Sequence, residues 1–342
     1  MTFIRGKHGL VSVLLPVKNG ADHLADALES LLAQTYENFE IVAVDHSSTD
    51  STPEILSEFA LKDDRLKINR FDGKSFVDCL NFGLSICQGE FVARADADDI
   101  CRNDRLKLQT AFLDNNPDIG IVGCKVKIFR EDGVMEGYRR YEEWVNSLLS
   151  PEEIEREIFV ESPLPHPSVM MRKSVVEKLG GYMDNGWPED YDMWLRAKFA
   201  GIRMAKAPEL LLEWRDHSAR MSRNEKRYSR KSFHMARAFY LAKLAKAAGD
   251  KKIVIQGAGT TGKVIGKYLK KYGAKLKAYF DINPRKIGGT KLGLPVHSPE
   301  ELHLFTDHML ISAVSSWDAR DEIRLLAQNA GFTEGVDFFC AS

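Results

Sequence analysis

Between Leu10 and Pro16 the chain reads LVSVLLP, a short run of aliphatic and β-branched residues that stops at a proline, with Asn19-Gly20 just beyond. Such a run, too short for a helix, predicts a buried strand ending in a loop. From Ala21 to Ala33 the spacing changes, with Leu24, Leu28, Leu31 and Leu32 recurring at helical intervals. Phe39 to Val44 is strand-like again and closes on Asp45, after which SSTDSTPEILSEFA carries Ser, Thr and Asp start signals and an early proline, predicting another helix. Strand, loop and helix repeated in this order predict a mainly parallel sheet with covering helices. Ligands of such sheets bind outside the carboxyl ends of the strands, where Asn19 and Asp45 fall.

Glu90-Phe91-Val92-Ala93 is a further apolar run, and ARADADDICRNDRLKLQ then places Asp96, Asp98 and Asp99 within four positions at its carboxyl end. Carboxylates this close raise one another's pKa unless a positive charge sits among them. A divalent cation is the usual answer, because hard ions take carboxylate and phosphate oxygens. The competing reading is a solvated acidic turn in which Asp99 caps a helix over Arg102 to Leu113. Arg94 and Arg105 flank the acids, either as partners of a diphosphate or as ion-pair partners of the carboxylates themselves.

In the second half, Glu189, Asp190 and Asp192 precede a predicted helix over Met193 to Ala200 and suit its positive end. Between about Ala219 and Ala248 the composition turns basic, and Phe233, Ala236, Phe239, Tyr240, Leu241 and Leu244 form an apolar stripe on a predicted helix. This reads as an interdomain helix, with attachment to an anionic membrane surface as the alternative. Beyond Gly249-Asp250 a second α/β unit begins. KIVIQ (Lys252 to Gln256) predicts a strand, GAGTTG a glycine-rich turn, Lys263 to Tyr272 a helix, and Lys275 to Phe280 a strand ending at Asp281. Gly257, Gly259 and Gly262 permit a tight turn and close backbone approach at a helix N-terminus, and Asp281 stands where a ribose-binding acid belongs in a Rossmann-type βαβ unit.

At 342 residues and 44% hydrophobic content the chain is long enough for two cores, and a formal net charge of -1 gives no bulk attraction to nucleic acid. No apolar run approaches the ~20 residues of a membrane span, and MTFIRGKHG lacks the apolar core of a secretory signal. The expected location is therefore cytoplasmic, with the inner membrane face as a peripheral alternative. Cys79, Cys87, Cys101, Cys124 and Cys340 show no metal or disulfide spacing and read as packed thiols.

PVKNG (Pro16 to Gly20), VDHSSTD (Val44 to Asp50), LNFGLSICQGEFVARADADD (Leu80 to Asp99), HPSVMMR (His166 to Arg172) and GWPEDYDMWLR (Gly186 to Arg196) together resemble the family 2 glycosyltransferases, in order and spacing, over roughly residues 8 to 222. The resemblance implies the GT-A fold and an inverting transfer from a nucleotide sugar, a UDP-sugar by preference, to a saccharide or lipid-linked saccharide hydroxyl during synthesis of a cell-surface or exported glycan. It further implies a Mn2+ or Mg2+ ion held by Asp98 of the D-x-D motif, with Asp96 toward the ribose or the metal's water. Asp45, Pro16 and Asn19 would hold the nucleoside, Asp190 would act as general base with Glu189 as its alternative, and His217 would be a further metal ligand. The role of His166 stays open. The chain departs from the family pattern at His46 and Ser47, where a second aspartate and a glycine are usual; His46 either alters base preference or occupies a tolerant loop position.

The expected organisation is a GT-A catalytic domain over residues 1–220, a basic helical linker over 221–250 and a Rossmann-like accessory domain over 251–342. The last resembles small domains attached to sugar-modifying enzymes, which implies a nucleotide or nucleotide sugar as its ligand. A competing function makes this unit the working part, an NAD-linked oxidoreductase or nucleotide-sugar sensor beside an inactive N-terminal domain. Sequence leaves the sugar, the acceptor, the linkage and the oligomeric state open.

Overall fold

The computed structural model describes residues 3, 6–130, 132–317 and 319–342. Of the N-terminal stretch read for a targeting signal, Met1, Thr2, Ile4 and Arg5 lie outside the described residues, as does Glu131 of the 130–165 loop region. Contacts group the chain into two units, Met1–Ile154 with Pro163–Asn185 and Glu189–Arg223, and Glu155–Ser162 with Gly186–Pro188 and Asn224–Ser342.

The first unit contains strands β1 (Lys7–Val17), β2 (Phe39–Asp45), β3 (Leu66–Arg70), β4 (Gly89–Arg94), β5 (Ile100–Cys101), β6 (Ile119–Phe129), β7 (Met170–Arg172) and β8 (Arg203–Arg215). Among the described residues these form one sheet in the order β3-β2-β1-β4-β7-β6-β8-β5. The β1–β2, β2–β3, β1–β4 and β6–β8 pairs are parallel; β7 is antiparallel to β4 and β6, and β5 to β8. Its helices are α1 (Leu24–Leu32), α2 (Thr52–Lys62), α3 (Phe76–Ile86), α4 (Arg105–Asn115), α5 (Glu136–Ser147), α6 (Pro151–Glu157), whose last residues belong to the second unit, α7 (Lys173–Leu179), α8 (Glu189–Phe199) and α9 (Met221–Asn224), whose last residue does likewise.

Successive residues of a strand face opposite sides of the sheet, and β1 uses both. Val11, Val13, Leu15 and Val17 join Leu24, Leu28 and Leu31 of α1 in one buried cluster. Leu14 lies on the other face with Val44, against α3 at Gly83, where an added Cβ would fall 2.3 Å from Leu14 Cδ1. Helices therefore cover both faces, as the alternating pattern predicts.

Two expected helix boundaries shift for identifiable reasons. Residues 100–101 are drawn into pairing with β8, and Arg102 N donates to Leu211 O at 3.0 Å, so α4 begins only at Arg105 and Asp99 is not its cap. α8 begins at Glu189 rather than Met193, which puts Glu189, Asp190 and Asp192 inside its first turn, where carboxylates offset the amide end of the dipole.

The second unit carries α10 (Arg230–Ala247), β9 (Ile253–Gln256), α11 (Thr260–Lys271), β10 (Leu276–Phe280), β11 (Thr290–Lys291), β12 (Leu294–His297), β13 (Met309–Ser312), α12 (Arg320–Asn329) and β14 (Phe338–Cys340). Its sheet runs β11-β12-β10-β9-β13-β14, parallel except for the β11–β12 pair, with the order reversing at β9. The helix expected as a linker, α10, groups with this unit and packs on α11, burying Ala236, Tyr240 and Leu241 while Phe239 stays partly exposed. The short stretch 155–162 is held within the same unit by Glu157, which pairs with Arg320 and Arg324, and by Glu161, which accepts from Arg237 Nη2 at 3.2 Å. All five cysteines are free and buried. No helix among the described residues is long and apolar enough to cross a membrane.

The GAGTTG turn is closed by packing. Gly257 takes φ 102, and a Cβ on Gly262 would lie 1.8 Å from Gly257 O. Backbone cannot swing away as a flexible side chain can, so Gly262→Ala is expected to destabilise the second unit by roughly 1–3 kcal/mol. Urea unfolding checks this, and a midpoint equal to that of the unsubstituted chain counts against the tight turn.

Candidate active site

The carboxyl ends of β1, β2 and β4 lie side by side, because β1 pairs with both of the others. At the ends of β1 and β2, two loops are laced together. Asn19, with φ 51, donates its backbone N–H to Ser48 Oγ at 2.9 Å and accepts from Thr49 N on Oδ1 at 2.8 Å. Gly20 N donates to Thr52 Oγ1 at 2.9 Å and Ala21 N to Asp50 Oδ2 at 3.1 Å. Asp45 is buried and takes Ser48 N on Oδ1 at 3.0 Å, while Pro16, also buried, is level with Val44 on the neighbouring strand.

At the end of β4, Asp96, Asp98 and Asp99 bring one carboxylate oxygen each to within 4.8 Å of one another. Arg94, fully buried, reaches forward with Nη2 2.6 Å from Asp96 Oδ1 and also bonds Ala95 O. Burial pushes the Asp96 carboxyl upward, but the Arg94 guanidinium, helped by Arg220, outweighs it and keeps the group below the usual range. Asp99 goes the other way: burial first, then the charges of Asp98 and Asp96, raise it well above the usual range. Its Oδ1 accepts Arg215 N at 2.9 Å, and its buried Oδ2 has no hydrogen-bond partner among the described residues. An orphaned carboxylate oxygen among two further carboxylates is the donor set a hard divalent cation would satisfy, so these residues fit the implied Mn2+ or Mg2+ ion.

The chain leaving β8 returns to the same acids. His217 Nε2 donates to Asp98 Oδ2 at 2.8 Å, and its ring stands 5.2 Å, edge-on, from that of His23. Arg215 Nε donates to Asp98 O at 2.8 Å. Sequence reading named His217 but missed Arg215, Arg220 and His23; the basic run around EWRDHSAR was the signal for the first two. Of the two flanking arginines, Arg94 is the ion-pair partner of Asp96. Arg105 does not pair with the acids; it is buried against Cys101 Sγ, Gln109 Oε1 and Arg94 O, tying α4 to β4.

The second acidic site stands at the start of α8. Asp190 accepts its neighbour Tyr191 N on Oδ1 at 2.7 Å. Burial, then the adjacent Glu189 charge and, more weakly, Asp96 push its carboxyl up to about 8, against the pull of that amide. Glu189 is almost wholly buried, with Oε1 4.0 Å from His166 Nδ1, while His166 Nε2 shares a 2.7 Å hydrogen bond with the Tyr182 hydroxyl. Burial, then Arg94, holds His166 well below its ordinary pKa, so its imidazole is neutral at pH 7. The histidine whose role the sequence left open thus joins the two acidic motifs.

In the second unit, Gly257, Gly259 and Gly262 lie on the turn from β9 into α11. Asp281 sits at the end of β10, with its carboxylate accepting Ala258 N at 2.9 Å, Asn283 N at 2.9 Å and Lys286 Nζ at 2.7 Å. The acid braces the glycine turn from inside the chain.

Comparison with known proteins bears on the fold and the family. The profile of Glycosyl transferase family 2 matches residues 12–180, and that of the CoA binding domain matches residues 248–336. The chain is 34% identical over 225 residues to the putative glycosyltransferase EpsE of Bacillus subtilis, covering 64% of this chain and 77% of that one. It is 32% identical over 213 residues to the amylovoran biosynthesis glycosyltransferase AmsE of Erwinia amylovora, covering 60% and 76%. In fold it is similar to Staphylococcus aureus TarS residues 1–349, crystallised with UDP-GlcNAc, at a TM-score of 0.57 and 20% identity over 77% of this chain and 72% of that one. Fold and site define a GT-A-like transferase with an appended Rossmann-like unit. The chain belongs to glycosyl transferase family 2 and is a glycosyltransferase.

Proposed function

We propose that the protein transfers a glycosyl group, with inversion, from a nucleotide-sugar donor, a UDP-sugar by preference, to a saccharide hydroxyl of a cell-surface or exported glycan. The observation that carries this reading is the convergence of two unlike acidic sites, the Asp96-Asp98-Asp99 cluster with its orphaned oxygen and Asp190 with its raised pKa, close enough for Asp96 to act on Asp190. Asp45, Pro16 and Asn19 hold the nucleoside at the ends of β1 and β2, and Asp96 faces the ribose. Asp98 and His217 would hold the divalent cation. When bound there, the ion supplies Lewis-acid neutralisation of the charge that gathers on the departing diphosphate.

The remaining steps belong to the chain. Asp190 takes the proton of the acceptor hydroxyl, whose oxygen forms the new bond to the anomeric carbon from the face opposite the leaving group while the bond to the diphosphate oxygen breaks. Mounted in the first turn of α8, the carboxylate is held rigidly for that task. Glu189, buried beside His166, is the alternative base. The oxidoreductase alternative is not favoured, since the Asp281 carboxylate is taken up by its own chain.

Two measurements test this. A thermal-shift screen of nucleotide sugars with and without Mn2+ should show a melting-point rise for the true donor only when metal is present, since a ligand bound by the native state alone stabilises it. A flat response to every donor in either condition contradicts the proposal. Because the base must be ionised to accept a proton, kcat/KM should climb with pH along an acid limb near the Asp190 value of about 8. Glu189→Gln removes a charge that raises that value, so the limb should move to lower pH; a limb that stays put separates Glu189 from the base's titration.

A further inference from the structure

The two positions that depart from the family pattern, His46 and Ser47, hold a loop. Asp45 is level with Val17 of β1 on one side and Arg70 of β3 on the other. The chain leaving β3, residues 71–74, therefore borders Asp45 on the side away from Pro16 and Asn19. Three consecutive residues tie it down. Asp45 O accepts Phe71 N at 2.9 Å, His46 Nε2 lies 2.8 Å from Gly73 O, and Ser47 Oγ donates to Phe71 O at 3.1 Å and lies 3.0 Å from Asp72 Oδ1. A carbonyl oxygen only accepts, so Nε2 of His46 carries the proton. The imidazole is 5% exposed and packs 5.6 Å from the Phe71 ring, which in turn lies 5.5 Å from Phe82 of α3.

The family's usual residues would not make this staple. An aspartate at 46 has no proton to offer Gly73 O and would set a negative charge against a carbonyl. Ser47 has φ 52, a conformation that favours glycine. Glycine there would relax the backbone but forfeit both hydroxyl contacts. Ser47 thus combines local backbone strain with a hydroxyl that bonds the 71–74 loop.

We propose that His46, with Ser47, is a positioning residue that fixes residues 71–74 as the outer wall of the nucleobase pocket and thereby favours single-ring uracil over two-ring guanine. This rests on the reading that Asp45 takes the nucleoside. A wall tied at three successive points cannot retreat to admit the larger base, whereas a released one can.

The test uses the full chain and its His46→Ala, His46→Gln and Ser47→Gly variants, with affinities for UDP and GDP measured calorimetrically in Mn2+ and folding checked by circular dichroism. The unsubstituted protein should prefer UDP. His46→Ala should weaken UDP binding by up to roughly fivefold, since a loop freed of this hydrogen bond must be ordered again on binding, and narrow the UDP-to-GDP ratio. His46→Gln, whose side-chain N–H2 group can still donate to Gly73 O, should recover part of both. Ser47→Gly relieves strain and so stays folded; it should shift the ratio the same way, and it carries the test should His46→Ala not fold. A folded variant set with unchanged UDP affinity and unchanged ratio overturns the staple alone. An unsubstituted chain that binds neither nucleotide overturns the nucleoside reading beneath it, and one that prefers GDP overturns the proposed selectivity.

Discussion

Asp98→Ala is expected to lower glycosyl transfer by roughly a thousandfold or more, since charge neutralisation at a leaving diphosphate is worth several kcal/mol and each 1.4 kcal/mol is about tenfold in rate. The loss should not come from misfolding. Asp98 is one of three clustered carboxylates, and its charge is among those that raise Asp99. Removing it relieves that repulsion, so without metal the variant should melt at or above the temperature of the parent chain. What it should lose is the stabilisation by Mn2+ with a nucleotide sugar. His217 loses its hydrogen-bond partner as well, while the Arg215 bond to the residue 98 carbonyl persists. Transfer assays with and without Mn2+, paired with melting curves, decide the matter; full metal-dependent activity in the variant would remove Asp98 from the mechanism.

Asp190→Asn should lower kcat by about 10²–10⁴, the range general-base catalysis supplies, while leaving donor and metal affinity near their original values. Asparagine keeps the shape and can still accept from Tyr191 N, so α8 starts as before. It cannot take a proton. The separation of the two effects is the informative result: Asp98→Ala weakens metal-dependent donor binding and turnover together, whereas Asp190→Asn touches turnover alone. If Asp190→Asn keeps its rate and Glu189→Gln loses it, the base is Glu189.

Much of this site could be read along the chain because its pieces are local. The acids at 96, 98 and 99 follow a strand directly, and the pair at 189 and 190 opens a helix, so short-range pattern marks both. The arginines were harder. Arg94 and Arg105 look alike in sequence, yet one lies against Asp96 and the other against Cys101, Gln109 and the Arg94 carbonyl. Which carboxylate or carbonyl an arginine meets depends on strands that pair far apart in sequence. Asp99 taught the same lesson: as a helix cap it would be an exposed local device, but β5 pairs with β8, moves the helix start to Arg105 and turns Asp99 toward the Arg215 amide.

By itself the sequence determined the mainly parallel α/β architecture, the two acidic motifs, the polar loop that follows Asp45 and the glycine turn of the second unit, because hydrophobic period, turn residues and charge clusters act over a few residues. Only the tertiary structure decided what those groups do to one another. It gave Asp96 its buried arginine, left one oxygen of Asp99 without a partner among the described residues, raised Asp190, placed neutral His166 between the motifs and turned His46 from a deviation into a staple. Burial and the charges of residues distant in sequence set those properties, and both exist only once the strands are side by side.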